Sequence, residues 1–272
     1  MLVEKTFDSG QVVLNCLEGP INGPPLVFLH GGASTSLGWK KVMDNLLQEY
    51  HVIAPDFRGY GNSGRAKGAY KIKDFAYDIV ALIEKEIDEP TCVIGHSLGS
   101  IVALQVAVDT PDYVKSIVLE DPPLYIDLSK WMFWPGVKMM FDLGKDMIES
   151  GYTEEDLYQR FIEMPGDNAK VFARSRAYCL SHFDFEYFEN IRDGSWREGF
   201  DTDVTLEKVS CPVLFLHGGE KLGSVLTAEE IEKAQSVLRN VIVEGFEEVG
   251  HDLHGRRLDK FIKIVRKFFE SH

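Results

Sequence analysis

Cysteine is scarce in this chain, with four among 272 residues, at Cys16, Cys92, Cys179 and Cys211. They are widely separated, and no CxxC or metal-ligand spacing occurs, so neither a disulfide framework nor a zinc site is expected. Buried reduced thiols fit a cytoplasmic location. Long apolar runs are also missing. Even Ile101 to Val108 is interrupted by Gln105 and stops at Asp109, far short of the ~20 residues that a membrane span needs. Met1 to Gly10 carries Glu4, Lys5 and Asp8 with no basic segment leading into an apolar stretch, so it does not read as a secretory signal. Basic charge is in deficit: 29 Lys and Arg stand against 43 Asp and Glu, a formal charge of −14. That balance argues against a phosphate-backbone partner and describes a solvated, self-repelling surface. No nucleic acid and no membrane are expected as partners, and the chain is read as a monomer or homodimer.

What is present is alternation. Pro25 to Leu29, His51 to Ala54, Thr91 to Ile94, Ser116 to Leu119 and Pro212 to Leu216 are short apolar runs of the kind found in strands buried on both faces. Trp39 to Gln48, Ile72 to Glu86, Leu98 to Val108 and Lys260 to Phe269 carry apolar residues at helical spacing. Val3 to Phe7 and Gln11 to Leu17 read as a hairpin turned at Asp8, Ser9 and Gly10. Strands alternating with helices predict an α/β fold, a mostly parallel central sheet flanked by helices. From Pro122 to about Val209 no strand pattern appears. The chain therefore divides into a core of residues 1–121 and 206–272 and a helical cap insertion of residues 122–205.

Gly95-His96-Ser97-Leu98-Gly99 follows one predicted strand directly and opens a predicted helix. This is the context that a G-x-S-x-G nucleophile elbow requires, a serine projected above the sheet by a tight strand-to-helix turn. Ser97 is the candidate nucleophile; the competing reading is a plain helix N-cap. His30-Gly31-Gly32 closes the strand from Pro25, at the same rim of a parallel sheet. The backbone N–H groups of Gly32 and Leu98 are the candidate oxyanion hole, an arrangement worth a few kcal/mol in the transition state; the alternative for His30 to Gly32 is a flexible turn. His251 lies in a loop after the last strand-like segment, Asn240 to Val243. A histidine there has the pKa range to serve as general base for Ser97. His254 is its neighbour and competitor, His96 and His217 are read as turn residues, and His30 and His217 are possible pocket neighbours.

The order His30-Gly-Gly, Asp56-Phe-Arg58-Gly59-Tyr-Gly61-Asn-Ser63, Gly95-His-Ser-Leu-Gly99 and Gly250-His251-Asp252 resembles the α/β-hydrolase superfamily over nearly the whole chain. The resemblance implies that Asp56 to Ser63 is a structural turn and that the insertion after Ser116 to Leu119 is a helical cap. It also favours His251 over His254. Many relatives carry the triad acid in a Gly-x-x-Asp turn after the strand equivalent to Pro212 to Leu216. Here Gly218-Gly219-Glu220-Lys221 puts a lysine at that place. Some lactonases and dehalogenases carry the acid after the strand that follows the nucleophile helix, and Asp121 matches that position. Asp121 is therefore the candidate acid, with Glu220 and then Glu120 as alternatives.

A serine at the elbow argues against alkyl-carbon displacement, which needs an aspartate there, and leaves acyl transfer. The expectation is a serine hydrolase of the carboxylesterase or lactonase type, acting on a small-molecule ester or lactone without metal or organic cofactor. A carbon–carbon bond hydrolase and a ligand-binding receptor on a hydrolase scaffold are the alternatives. Within the insertion Trp131, Phe133 and Trp134 are candidates for the substrate entrance, since small-molecule pockets are mostly apolar, although such clusters are more often core. Trp39 is read either as a pocket wall or as the first core residue of its helix.

Overall fold

The computed structural model describes residues 1–32, 34–125, 135–164 and 167–272, without the side chains of 135–141 and 167–172. Strands β1 (Val3–Asp8), β2 (Val13–Glu18), β3 (Pro25–Leu29), β4 (His51–Pro55), β5 (Thr91–His96), β6 (Val114–Glu120), β7 (Val213–Gly218) and β8 (Val241–Phe246) form one sheet in the order β1-β2-β4-β3-β5-β6-β7-β8. β2 pairs antiparallel with β1 and β4, and the remaining pairs are parallel. The central strands are apolar at consecutive positions because helices cover both faces: all of β3 and β4 is buried, whereas β8, at the sheet's edge, is mostly half-buried.

Helices α1 (Lys40–Leu46), α2 (Ile72–Leu82) and α3 (Leu98–Asp109) separate the strands of the first half. Helix α3 is buried almost all round, which explains why its sequence lacks a polar face. Between β6 and β7 the described residues hold helices and no strand: α4 (Pro135–Glu149), α5 (Glu154–Ile162), α6 (Asp167–Ser181), α7 (Glu186–Asp193) and α8 (Thr202–Lys208). Helix α8 packs on α3, so the chain is back on the core before β7 begins. Helices α9 (Ala228–Val237), α10 (Leu253–Arg256) and α11 (Leu258–Ser271) complete the chain. No helix of the described residues is long and apolar enough to cross a membrane. The four cysteines are free thiols.

Two apolar cores flank the sheet. One joins α2, α3 and the inserted helices; the other joins α1 and α11. The inserted helices dock through aromatic rings: Phe183 and Tyr187 lie 4.9 and 5.8 Å from Tyr60, and Tyr187 meets Phe75 edge-on at 5.4 Å. Polar bonds fix the same junction, with Tyr70 Oη donating to Asp184 Oδ2 at 2.6 Å and Asp184 N–H donating to the Gly59 carbonyl.

The segment Asp56 to Ser63 is a structural turn built around buried charge. Asp56 accepts bonds from Ser36 N–H, Asn15 Nδ2 and Asn62 N–H, joining β2 to the turn that follows β3. Arg58 is fully buried and grips both oxygens of Asp78 at 2.7 Å, while Ser9 Oγ donates to the same carboxylate. Such a pair is tolerated because its geometry is bidentate, and removing one member strands the other charge. Arg58→Met is expected to lower stability by about 3–5 kcal/mol, whereas Arg58→Met combined with Asp78→Leu recovers most of the loss; urea denaturation midpoints check both.

Candidate active site

Ser97 sits between β5 and α3 with φ 53° and ψ −116°, a strained backbone for a residue with a Cβ. The sequence secures this turn with two glycines that have no room for a side chain. A Cβ on Gly95 would stand 2.2 Å from the Gly99 carbonyl oxygen, and one on Gly99 would stand 2.1 Å from that of Leu29. Ser100 Oγ donates to the Gly95 carbonyl at 2.6 Å, and Ser97 N–H donates to the Glu120 carbonyl at 2.9 Å. The elbow is therefore braced against β3 and β6 together.

Leu98 opens α3, where the first N–H groups lack an intrahelical acceptor and carry the positive end of the dipole. The turn after β3 lies alongside: a Cβ on Gly31 would meet His96 Nδ1 at 2.8 Å and Ser97 Cβ at 3.4 Å. Gly32 is held by Tyr60 Oη, which donates to its carbonyl at 3.1 Å. The loop carrying Gly32 thus meets the helix start carrying Leu98 at Ser97.

His251 Nδ1 lies 2.6 Å from Asp121 Oδ2. Asp121 is fully buried at the end of β6 with φ 45°. Its Oδ1 accepts from Ser224 Oγ at 2.6 Å and Gly218 N–H at 3.2 Å, and its Oδ2 also accepts from Val225 N–H at 3.0 Å. Burial works against the ionised form, but the bonds from His251, Ser224 and Val225 outweigh it and hold the carboxyl below its ordinary range. Because Nδ1 of His251 is committed to Asp121, Nε2 is the nitrogen left to exchange a proton.

Glu220, the alternative acid, is an exposed residue of the 3-10 turn Glu220–Leu222; the carboxylate that meets His251 is that of Asp121, the first candidate. The physical reason is that the loop after β7 turns its donors, Gly218 N–H and Ser224 Oγ, toward Asp121. Glu120 is buried and bonded to His254 Nδ1 at 2.8 Å, which removes both residues from competition for the triad. Trp39 is corrected as well: it is 1% exposed, stacked on His254 at 4.1 Å and packed against Phe28 and Phe261. It is the core residue of the two readings. Trp131, Phe133 and Trp134 lie outside the described residues.

His96 has a role that its sequence context did not signal. Its Nε2 lies 2.9 Å from the His251 carbonyl, and burial pushes its pKa down to about 4, so the neutral ring donates N–H to that carbonyl. His30 is 1% exposed and accepts the Phe57 N–H through Nε2, which makes it a support of the turns. His217 is partly buried and faces the Gly218 carbonyl. Among the described residues one group, Glu120, Asp252 and His254, has ligand atoms within 4.8 Å of one another. Its Glu120 and His254 atoms already bond each other and the backbone, so the group reads as an ion pair.

The chain belongs to the α/β-hydrolase fold family, whose model matches residues 24–163. It is an enzyme of that superfamily, a hydrolase. The chain is 26% identical to 2-(acetamidomethylene)succinate hydrolase of Mesorhizobium japonicum, over 89% of this chain and 87% of that protein. It is also 26% identical to pyrrolizixenacetamide deacetylase of Xenorhabdus hominickii, over 94% of each. Among solved structures, N-formylmaleamic acid deformylase of Pseudomonas putida superposes with a TM-score of 0.77 at 20% identity, over 97% of this chain and all of the other.

The carboxylates at the end of β6 set a pH dependence of stability. Glu120 and Asp121 are both held below their ordinary values of 4.5 and 3.8, against the opposing effect of burial. A lowered carboxyl pKa stabilises the fold above the unfolded value, and the stabilisation is lost as pH falls through the folded one. The melting temperature is expected to drop from about pH 4.5 downward, and Asp121→Asn is expected to flatten that drop, as read by circular dichroism melts between pH 3 and pH 7.

Proposed function

We propose that this hydrolase cleaves a small carboxylic ester or lactone through an acyl-enzyme on Ser97, with His251 as general base and Asp121 as the acid that orients it. The observation that carries this reading is the 2.6 Å contact between His251 Nδ1 and a buried, fourfold hydrogen-bonded Asp121. That contact fixes the tautomer in which Nε2 can take a proton and favours the imidazolium that results.

In the first step Ser97 Oγ attacks the substrate carbonyl carbon as its proton passes to His251 Nε2. The carbonyl oxygen, now an oxyanion, is held by the N–H groups of Gly32 and Leu98. The C–O bond to the leaving group then breaks, and His251 returns the proton to the departing oxygen. Water, deprotonated by His251, attacks the acyl-enzyme, and the acid leaves as Ser97 regains its proton. No step draws on a metal or organic cofactor. The substrate is a small molecule taken beneath the inserted helices.

A second reading has its own support. The two full-length relatives and the solved structure described above are named for hydrolysing, deacetylating or deformylating compounds with an acyl group on nitrogen. The same steps serve an amide if His251 protonates a departing nitrogen. Cleavage of a carbon–carbon bond next to a carbonyl is a third use of the same residues.

The test is turnover of p-nitrophenyl esters from acetate to octanoate, of a lactone and of N-acetyl and N-formyl amides. Ser97→Ala is expected to abolish turnover, Asp121→Asn to lower kcat about 10⁴-fold, and Glu220→Gln to leave it unchanged. A folded Ser97→Ala enzyme that retained activity would sink the acyl-enzyme reading. Turnover of the amides alone would transfer the assignment to the nitrogen-linked class, and single-turnover acylation without release would favour a receptor.

A further inference from the structure

Asp121 is preceded by a second buried carboxylate that acyl transfer does not use. Glu120 is 0% exposed. Its Oε1 accepts from Leu253 N–H at 2.8 Å and His254 N–H at 2.9 Å, capping the short helix α10, and its Oε2 lies 2.8 Å from His254 Nδ1. The His254 ring is sandwiched: it stacks on Trp39 at 4.1 Å and meets Phe261 edge-on at 5.9 Å. His254 Nδ1 is thus committed to Glu120.

Glu120 is the last residue of β6, and Asp121, with φ 45°, turns the chain away from the strand. Glu120 and Asp121 therefore reach the loop 251–254 at two separate points. Asp121 holds the His251 ring, Glu120 holds the backbone and ring of His254 three residues later, and His96 Nε2 holds the His251 carbonyl between them. We propose that Glu120 and His254 are a positioning pair, a buried ion pair that fixes the backbone carrying His251 so that its Nε2 meets Ser97 in line. This rests on His251 being the general base.

The surrounding groups agree with a charged pair. Burial opposes charge on His254, but the Glu120 carboxylate beside it raises its pKa above the ordinary 6.5, and the Asp252 carboxylate and the Gly38 carbonyl add to this. Asp252 Oδ1 stands 3.9 Å from His254 Nδ1, and Arg256 in turn is 3.9 Å from Asp252. From β5 the neutral His96 faces His254 edge-on at 5.4 Å, and α11 presents the uncharged Phe261.

The test uses the full chain with Glu120→Gln, His254→Gln and the double variant, each checked for folding by circular dichroism. Two readouts separate positioning from mere stability. The first is kcat against KM over pH on whichever substrate wild type turns over. The second is the proton NMR resonance of His251 Nδ1–H, expected far downfield from the 2.6 Å contact with Asp121, which needs no substrate. Each single variant is expected to lower kcat about 10- to 100-fold with KM nearly unchanged, as small misplacements of a reacting group do, and to shift or broaden the Nδ1 resonance. The double variant, in which a neutral Gln–Gln bond can form, is expected to regain part of the loss. In wild type the nitrogen shifts of His254 should report both ring nitrogens protonated at pH 6.5, a measurement that no folding defect can spoil. A neutral His254 at that pH, or folded single variants with a lower melting temperature but an unaltered Nδ1 resonance and kcat profile, would overturn the pair's role. A Ser97→Ala enzyme that still turned over would remove the acyl-enzyme reading instead, and the Nδ1 resonance would still decide the clamp.

Discussion

Two carboxylates buried side by side at the end of β6 are the constraint around which the site is arranged. An ionised carboxyl removed from water is costly unless donors replace its hydration, so each of the two must recruit a loop. Asp121 recruits the segment after β7 through Gly218, Ser224 and Val225, and the loop before α10 through His251. Glu120 recruits the first turn of α10 through Leu253 and His254. The loops therefore have little freedom to drift, because moving either one would leave a charge unsatisfied in the interior.

Glycine packing gives the same rim its closeness. A Cβ on Gly218 would stand 2.2 Å from the Gly250 carbonyl oxygen, and one on Gly250 would stand 2.2 Å from that of Leu222. The β7 loop thus lies directly against the segment that carries His251. On the other side Gly99 admits the Leu29 backbone, which draws the turn holding Gly31 and Gly32 against the elbow. Close approach of backbones at these positions lets side chains as short as serine and aspartate meet from separate strands.

Much of this was legible in the residues. Consecutive apolar runs marked the parallel strands because both sheet faces are covered, and the elbow announced itself through glycines whose spacing has a steric cause. Helix α9 went unread: its apolar residues are sparse, although Thr227 and Glu230, which form a capping box, stood at its start as a signal. The choice between Asp121 and Glu220 was open in the sequence because both follow a strand that ends at the same rim. Only tertiary packing distinguishes a carboxylate with four donors from one left in solvent. Trp39 was ambiguous for a similar reason, since an aromatic residue after a glycine loop suits core and pocket equally until its neighbours are known. His96 and His254 were invisible as partners of the histidine loop because their contacts cross 155 and 134 residues of chain.

The position of Asp121 also accounts for the departure from the Gly-x-x-Asp turn. With a carboxylate on β6, the loop after β7 no longer has to supply an acceptor for His251 and instead has to supply donors for Asp121. Gly218 N–H and Ser224 Oγ do so, while Glu220 and Lys221 face solvent. A lysine is tolerable at that place only because the side chain there no longer points at an imidazolium. Had the acid stood on the β7 loop, a buried Asp121 would lack the His251 bond that helps to hold its pKa down against burial. Charge at one strand end and donor chemistry at the next are thus a single choice, and Lys221 is its visible consequence in the sequence.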